Sequence, residues 1–214
     1  GLKGSGKPLL HTSGSSVVGD DARGGFCSPH VFDEQTPWVI NPFKQARRDI
    51  DLLVLSGVND GIKTAVICPS LIYGVGTGLN PHSVQIPFLA SNAQERGAVE
   101  IVGQGLNVWS NVHIEDVTSL YQLVLEKGPG GAFYFAENGE ASYADLAQAL
   151  AQRLGLQAVV HLEPEEAAER WGVARAHFSF GSNSRVRARR AREELGWAPQ
   201  HTSVINWIAN EAQF

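Results

Sequence analysis

The chain has 214 residues, 43% of them hydrophobic and 18% charged, with a net charge of −5; this is enough apolar material for a packed core and excludes a disordered chain. The acidic balance leaves no positive surplus to displace counterions from a nucleic acid. No run approaches the roughly 18 uncharged apolar residues of a membrane span, residues 1–7 hold no apolar signal segment, and two cysteines, Cys27 and Cys68, build neither a disulfide framework nor a zinc site, so the expectation is a soluble cytoplasmic protein with no metal, nucleic acid or membrane partner.

In chain order, Pro8-Leu9-Leu10-His11-Thr12 reads as a buried parallel strand ending in the small polar loop Ser13-Gly14-Ser15-Ser16. Residues 19–42, rich in Gly, Pro, Asp and Ser, read as a long surface excursion. A helix follows, with Phe43, Ala46, Ile50, Leu53 and Gly57 as its apolar stripe, Lys44, Arg47, Arg48 and Asp51 on its wet face, and Asn59-Asp60-Gly61 as its end. Thr64-Ala65-Val66-Ile67-Cys68, largely β-branched and stopped by Pro69, is a second strand. A helix over 83–96, a short strand over 99–102, a helix over 114–125 and a strand over 132–136 come next. Ser142 and Asp145 then spell a capping box for a helix closed by Gly155, Glu163-Pro164 opens a short helix, one helix runs from after Ser184 to Leu195, and another covers 203–212. Strands alternating with helices predict a parallel α/β sheet followed by a helix-rich cap.

Several motifs fall short of a function. Gly1-x-x-x-x-Gly6-Lys7 lacks the hydroxyl residue of a phosphate-binding loop, having Pro8 instead, and no G-x-G-x-x-G or G-x-S-x-G occurs. His113, beside Glu115 and Asp116, reads as a helix start or a packing residue, with a metal-ligand role as the alternative. Arg185, Arg187, Arg189, Arg190 and Arg192 read as a solvated helix face, with a grip on a substrate or cofactor phosphate as the alternative. Cys68 reads as a small buried hydrophobe.

A series of segments in fixed order carries more information: Leu9-Leu10-His11-Thr12-Ser13-Gly14-Ser15-Ser16-Val17-Val18-Gly19, Phe32-Asp33-Glu34-Gln35-Thr36-Pro37, Lys44, Cys68-Pro69-Ser70-Leu71-Ile72-Tyr73-Gly74, Asn111-Val112-His113-Ile114-Glu115-Asp116-Val117 and Leu195-Gly196-Trp197-x-Pro199. Together they resemble the extended short-chain dehydrogenases, the NAD-dependent epimerase/dehydratase family. The resemblance implies a Rossmann-type doubly wound parallel sheet, incomplete here, with a small C-terminal α/β cap. Residues 1–75 would be the later part of the NAD(P)-binding domain, and 76–214 mainly the substrate-binding cap with segments returning to the sheet. With no methionine and no glycine-rich pyrophosphate turn, the chain reads as the later part of a protein, some three βαβ units or about 90 residues being expected before it.

The resemblance also implies roles. NAD or NADP would be held by Thr12, Ser13, Gly14, Lys44, Pro69 and Ser70, and a small-molecule substrate by Leu71, Tyr73, Trp109 and His113. A homodimer is implied through the helix that starts near Phe43. The family uses a Ser/Thr, a Tyr and a Lys four residues after it; the Lys lowers the phenol's pKa so that it can work as a base. Lys44 matches, but the tyrosine position is Ile40 and the hydroxyl position is Gly14, which leaves Ser13 or Ser15 to supply a hydroxyl from one residue away. The nucleotide-binding Asn and Arg of sugar-nucleotide members are Leu71 and Trp109 here, pointing to a smaller or more apolar substrate. The function expected is therefore an oxidoreductase or epimerase of a hydroxy/carbonyl compound with a non-standard site. A non-catalytic NAD(P)-binding redox sensor or regulator is the alternative.

Overall fold

A computed structural model describes the whole chain, residues Gly1–Phe214. Strand β1 (Pro8–Thr12) runs parallel to β2 (Lys63–Pro69), which runs parallel to β6 (Ala132–Ala136), in the order β1-β2-β6. The registers Leu10 to Ala65 and Val66 to Phe133 place all three carboxyl ends on one side. β2 beyond Lys63 and all of β6 are buried, as parallel strands covered on both faces must be, and this is why they read as apolar runs; β1, expected to be buried, is exposed or half-buried because it is the edge strand.

Between β1 and β2 the chain makes a short 3-10 turn (Ser15–Val18), the long excursion, and helix α1 (Gln45–Ser56). The helix is entered through the 3-10 turn Pro42–Lys44, where Asn41 accepts from the Phe43 amide at 2.9 Å and Pro42 sets the backbone angle. Its facing is opposite to expectation. Phe43, Ile50 and Leu53 are exposed, whereas Asp51 is fully buried and Arg48 lies inward with its guanidinium 4.4 Å from the Trp38 ring. An inward Asp51 is tolerable because Ser13 Oγ donates to it at 3.0 Å and His11 Nε2 and Arg48 Nη1 approach it at 3.4 and 4.0 Å.

The second half interleaves two small sheets with helices. β3 (Leu71–Tyr73) pairs parallel with β5 (Val108–His113), which pairs antiparallel with β7 (Glu140–Ser142), and β4 (Val99–Val102) pairs parallel with β8 (Val159–Leu162). Around them lie α2 (Gln85–Arg96), α3 (Ile114–Lys127), α4 (Tyr143–Leu154), α5 (Pro164–Trp171), α6 (Val173–Arg175), a π-turn (Ala176–Phe180), α7 (Arg189–Leu195) and α8 (Val204–Asn210). The N-cap holds, though not as a reciprocal box: Ser142 Oγ accepts from the Asp145 amide at 3.0 Å and donates to the Asp145 carboxylate at 2.7 Å, and Gly155 ends α4 in the left-handed region. α7 begins only at Arg189, because residues 184 and 186 bridge to Trp109 and Phe32 as extended chain. Two apolar cores result, one under β2, β6, α3 and α7, the other joining β3, β4, α2, α4 and α8.

The excursion is tied down rather than loose. The Asn183 side-chain amide donates to Asp20 and the Phe26 carbonyl and accepts from the Ser28 and Val108 amides, and the Glu34 carboxylate accepts from the Phe135 and Arg190 amides. Gly24, Gly103 and Gly181 cross at one point, where the Gly24 amide donates to the Gly181 carbonyl at 2.8 Å and a Cβ on Gly24 would stand 1.9 Å from the Val102 carbonyl oxygen. No helix is long and apolar enough to cross a membrane.

Candidate functional site

The carboxyl ends of β1 and β2 open onto a cavity of about 580 Å³, where open α/β sheets bind ligands. Thr12, Ser13, Gly14 and Ser15 line it from the end of β1, Pro69 and Ser70 from the end of β2, Lys44 and Arg47 from the α1 side, and Trp109, Arg175, Phe178 and Phe180 from the second half. Phe178 stacks on Phe43 with ring centroids 4.4 Å apart, joining the π-turn to the start of α1 beside Lys44.

Lys44 carries the most distinctive electrostatics. Its side chain makes no ion pair, and its nearest aromatic partner is Phe178, 5.8 Å from Nζ to the ring centre. Burial, with the neighbouring Arg47 charge as a second cause, holds its amine down to about 8. Burial pushes the Asp51 carboxyl up and the Cys68 thiol, fully enclosed in β2, well up, so the thiol stays protonated. The Thr12 hydroxyl is hydrogen-bonded to Tyr121 OH, and Ser70 Oγ donates to the Ala136 carbonyl, so both act as supports of the cavity floor.

The expected hydroxyls are engaged elsewhere. Ser13 Oγ donates to Asp51, and Ser15 Oγ accepts from Ser184 Oγ at 2.8 Å in a fully buried position. The Ser13→Ala variant is expected to lose about 1–2 kcal/mol of stability in urea unfolding, because the buried Asp51 loses its closest donor; an unchanged midpoint would show that this bond is not holding the strand end. Ile40 precedes the Asn41 cap and packs with Trp38 against the core of the first sheet, off the cavity. It therefore shares no helical face with Lys44.

Of the four residues expected on the substrate side, Trp109 alone lines the cavity, and its indole N–H is spent on the Ser182 carbonyl at 2.7 Å. Leu71 and Tyr73 are buried in the second core, since strand alternation turns Ile72 to the cavity and its neighbours away. His113 sits at the start of α3, where its Nδ1 accepts from the Glu115 amide at 3.3 Å, its ring stacks on His201 at 3.8 Å, and Gly74 packs so closely that a Cβ there would come within 2.3 Å of Nε2. Burial, then His201, lowers its pKa. The Asp116 carboxylate accepts from the Gln200 and His201 amides while the Asp116 carbonyl takes the Trp197 indole N–H, so the two last motifs of the sequence brace each other.

The arginines near α7 are likewise structural: Arg185 and Arg187 hold Glu140, Arg192 holds Glu137, and Arg189 and Arg190 pair with Glu193 and Glu194. Sequence reasoning missed Arg47, Arg175 and Phe178. Arg47 lies three residues beyond Lys44, a spacing that puts both on one helical face, whereas nothing in the sequence announces that residues 175 and 178 return to this cavity.

Comparison with known proteins agrees with this architecture. The chain is 32% identical to Oxidase ucsJ of Acremonium sp. over 89% of its own length and 64% of that protein's, and 26% identical to an uncharacterized protein of Schizosaccharomyces pombe over 100% of its length and 67% of that protein's. It thus spans about two thirds of the curated relatives it matches. Among solved structures, the dTDP-glucose 4,6-dehydratase DesIV of Streptomyces venezuelae with NAD and TYD bound superposes with a TM-score of 0.71 at 22% identity, over 94% of this chain and 57% of that one. RMD of Pseudomonas aeruginosa complexed with NADPH gives 0.64 at 22% identity, over 94% and 64%. These likenesses show a shared Rossmann-type fold. The model of the NAD dependent epimerase/dehydratase family matches residues 2–135, and the chain belongs to that family.

Proposed function

We propose that this chain forms the nicotinamide-facing and substrate-facing part of an NAD(P)-dependent oxidoreductase or epimerase of a small hydroxy or carbonyl compound. The observation that carries the reading is Lys44: a half-buried amine without an acidic partner, at the mouth formed by two parallel strand ends, with its pKa brought to about 8. The residues present fit a nicotinamide nucleoside. Lys44 has donors to spare for a ribose hydroxyl, Gly14 keeps the end of β1 low, and Pro69 and Ser70 form the adjoining wall. A bound nicotinamide would supply the redox step. Lys44 would hold the ribose and, at its lowered pKa, move a proton at Nζ, a duty the family gives to the phenol that Ile40 lacks. DesIV and RMD, bound to NAD and NADPH, support the cofactor class.

The absence of a phenol and the engagement of Ser13 and Ser15 favour a second reading, a dinucleotide-binding sensor without turnover. Calorimetric titration with NAD and NADP tests the first step. Binding is expected to be weak, because the chain has no glycine-rich turn for the pyrophosphate, and to weaken further, about tenfold or more, in Lys44→Ala. Equal affinity in the variant would remove Lys44 from the site. Binding without turnover of any secondary alcohol or ketone would favour the sensor.

A further inference from the structure

Arginines in this protein are almost all engaged. Eight lie within 4.0 Å of a carboxylate, Arg153 donates to the Ala212 carbonyl, and Arg96, without a side-chain partner, stands exposed at the end of α2, away from the cavity. The remaining two, Arg47 and Arg175, both line the cavity, together with Lys44. None of the 24 residues lining it is an aspartate or glutamate. A cavity with three cations and no acid is electrostatically unfinished, and the missing charge belongs to whatever fills it.

The two guanidiniums stand on different walls of the cavity. Arg175 rests over the Phe88 ring at 4.3 Å, and Arg47 Nη1 lies 3.8 Å from where a Cβ on Gly14 would stand. Arg47 thus occupies ground beside the position where the family resemblance expects a hydroxyl, and a guanidinium offers a planar fork that matches an oxyanion with two donors. On the wall where sugar-nucleotide enzymes would carry a cation, Trp109 donates inward to Ser182, so the cations stand in a different place and suit a smaller anion. Phe178, Phe180 and Trp109 supply the apolar remainder.

We infer that the substrate of this cavity is a small oxyanion, a hydroxy or keto compound bearing a carboxylate or phosphate that Arg47 and Arg175 clamp while its carbinol faces Lys44. The inference rests on the proposed function for the carbinol, but the clamp can be tested without any nucleotide. Mandelate, its neutral counterpart mandelamide and phenyl phosphate are titrated into the chain and followed by calorimetry. Mandelate or phenyl phosphate is expected to bind at least about tenfold more tightly than mandelamide, and Arg47→Gln and Arg175→Gln are each expected to weaken the anion by about tenfold or more. Both side chains are exposed, so unchanged thermal unfolding of the variants verifies that they fold. The ratio of mandelate to phenyl phosphate affinity decides between carboxylate and phosphate. No binding of either anion, equal binding of mandelamide, unaltered affinity in both variants, or displacement of the anion by NAD would each overturn the inference, the last because the cations would then serve the nucleotide. Anion binding that persists where Lys44→Ala leaves NAD affinity unaltered would leave the clamp standing and remove the proposed cofactor site instead.

Discussion

The Lys44→Met variant is expected to lose turnover by about 10²–10⁴-fold while becoming more resistant to unfolding. A charged amine pulled partly out of water opposes folding, and the lowering of Lys44 from 10.5 to about 8 measures that opposition. Between pH 8 and 10.5 the unfolded chain binds more protons at this site than the folded one, so stability from this group rises with pH across that window. Below pH 8 the penalty is complete. Methionine keeps the stem and removes the charge, so at pH 7 the gain should be about 1–2 kcal/mol once solvent screening of the exposed part is allowed for, fading above pH 10. The activity limb has the same origin. Oxidation of an alcohol needs the neutral amine as base, so kcat/KM should climb through about pH 8 in the parent chain and lose that limb in the variant. If an anionic substrate sits nearby, the limb in kcat shifts to higher pH than the limb in kcat/KM. Urea unfolding at neutral and alkaline pH and the two pH profiles check this; a variant that is both inactive and less stable would mark Lys44 as a packing residue.

The largest stability loss is expected at Gly24→Ala, about 3 kcal/mol or more in urea unfolding. Gly24 has φ +75°, and an added Cβ would meet the Val102 carbonyl oxygen at 1.9 Å, closer than any real contact, with backbone rather than a yielding side chain on the other side. Gly155→Ala separates the two causes. It has a similar φ of +68° but open space around it, so it should cost only about 1 kcal/mol, the left-handed penalty alone. Equal losses in the two variants would show that the crossing yields freely.

The contrast between what could and could not be read from sequence has physical roots. β2 and β6 were legible because a strand buried on both faces must be a continuous apolar run, whereas β1, expected to be buried, is an edge strand whose residues are exposed or half-buried. α1 was legible in extent and misleading in facing: periodicity shows that Phe43, Ile50 and Leu53 share a side, not which side meets the sheet, and here Asp51 and Arg48 go inward with partial compensation, Ser13 donating to one Asp51 oxygen, His11 and Arg48 lying near the carboxylate and Trp38 covering the guanidinium, while Asp51 Oδ1 and Arg48 Nη1 make no hydrogen bond. β3, β5, β7 and β8 were missed because they are short or partly polar, as at Ser110 and Asn111, and β5 and β8 find their partners far away in sequence. For the site, Lys44, Gly14, Pro69 and Ser70 follow from strand ends and motif order, but Leu71 and Tyr73 miss the cavity by one step of strand alternation. Arg175 and Phe178 arrive through tertiary packing, which one sequence does not encode locally.

The glycine crossing also bears on the order in which the chain assembles. A bond from the Gly24 amide to the Gly181 carbonyl closes a loop of 157 residues (181 − 24), with Gly103 between them in sequence, so it gives no reward until distant parts are already side by side. Loop-closure entropy therefore leads us to expect that the two apolar cores condense first and that the excursion fastens over them afterwards. Strain introduced at Gly24 should then leave the folding limb of a chevron nearly untouched and steepen escape from the native state. The clasp sets how long the native chain survives more than how quickly it is reached.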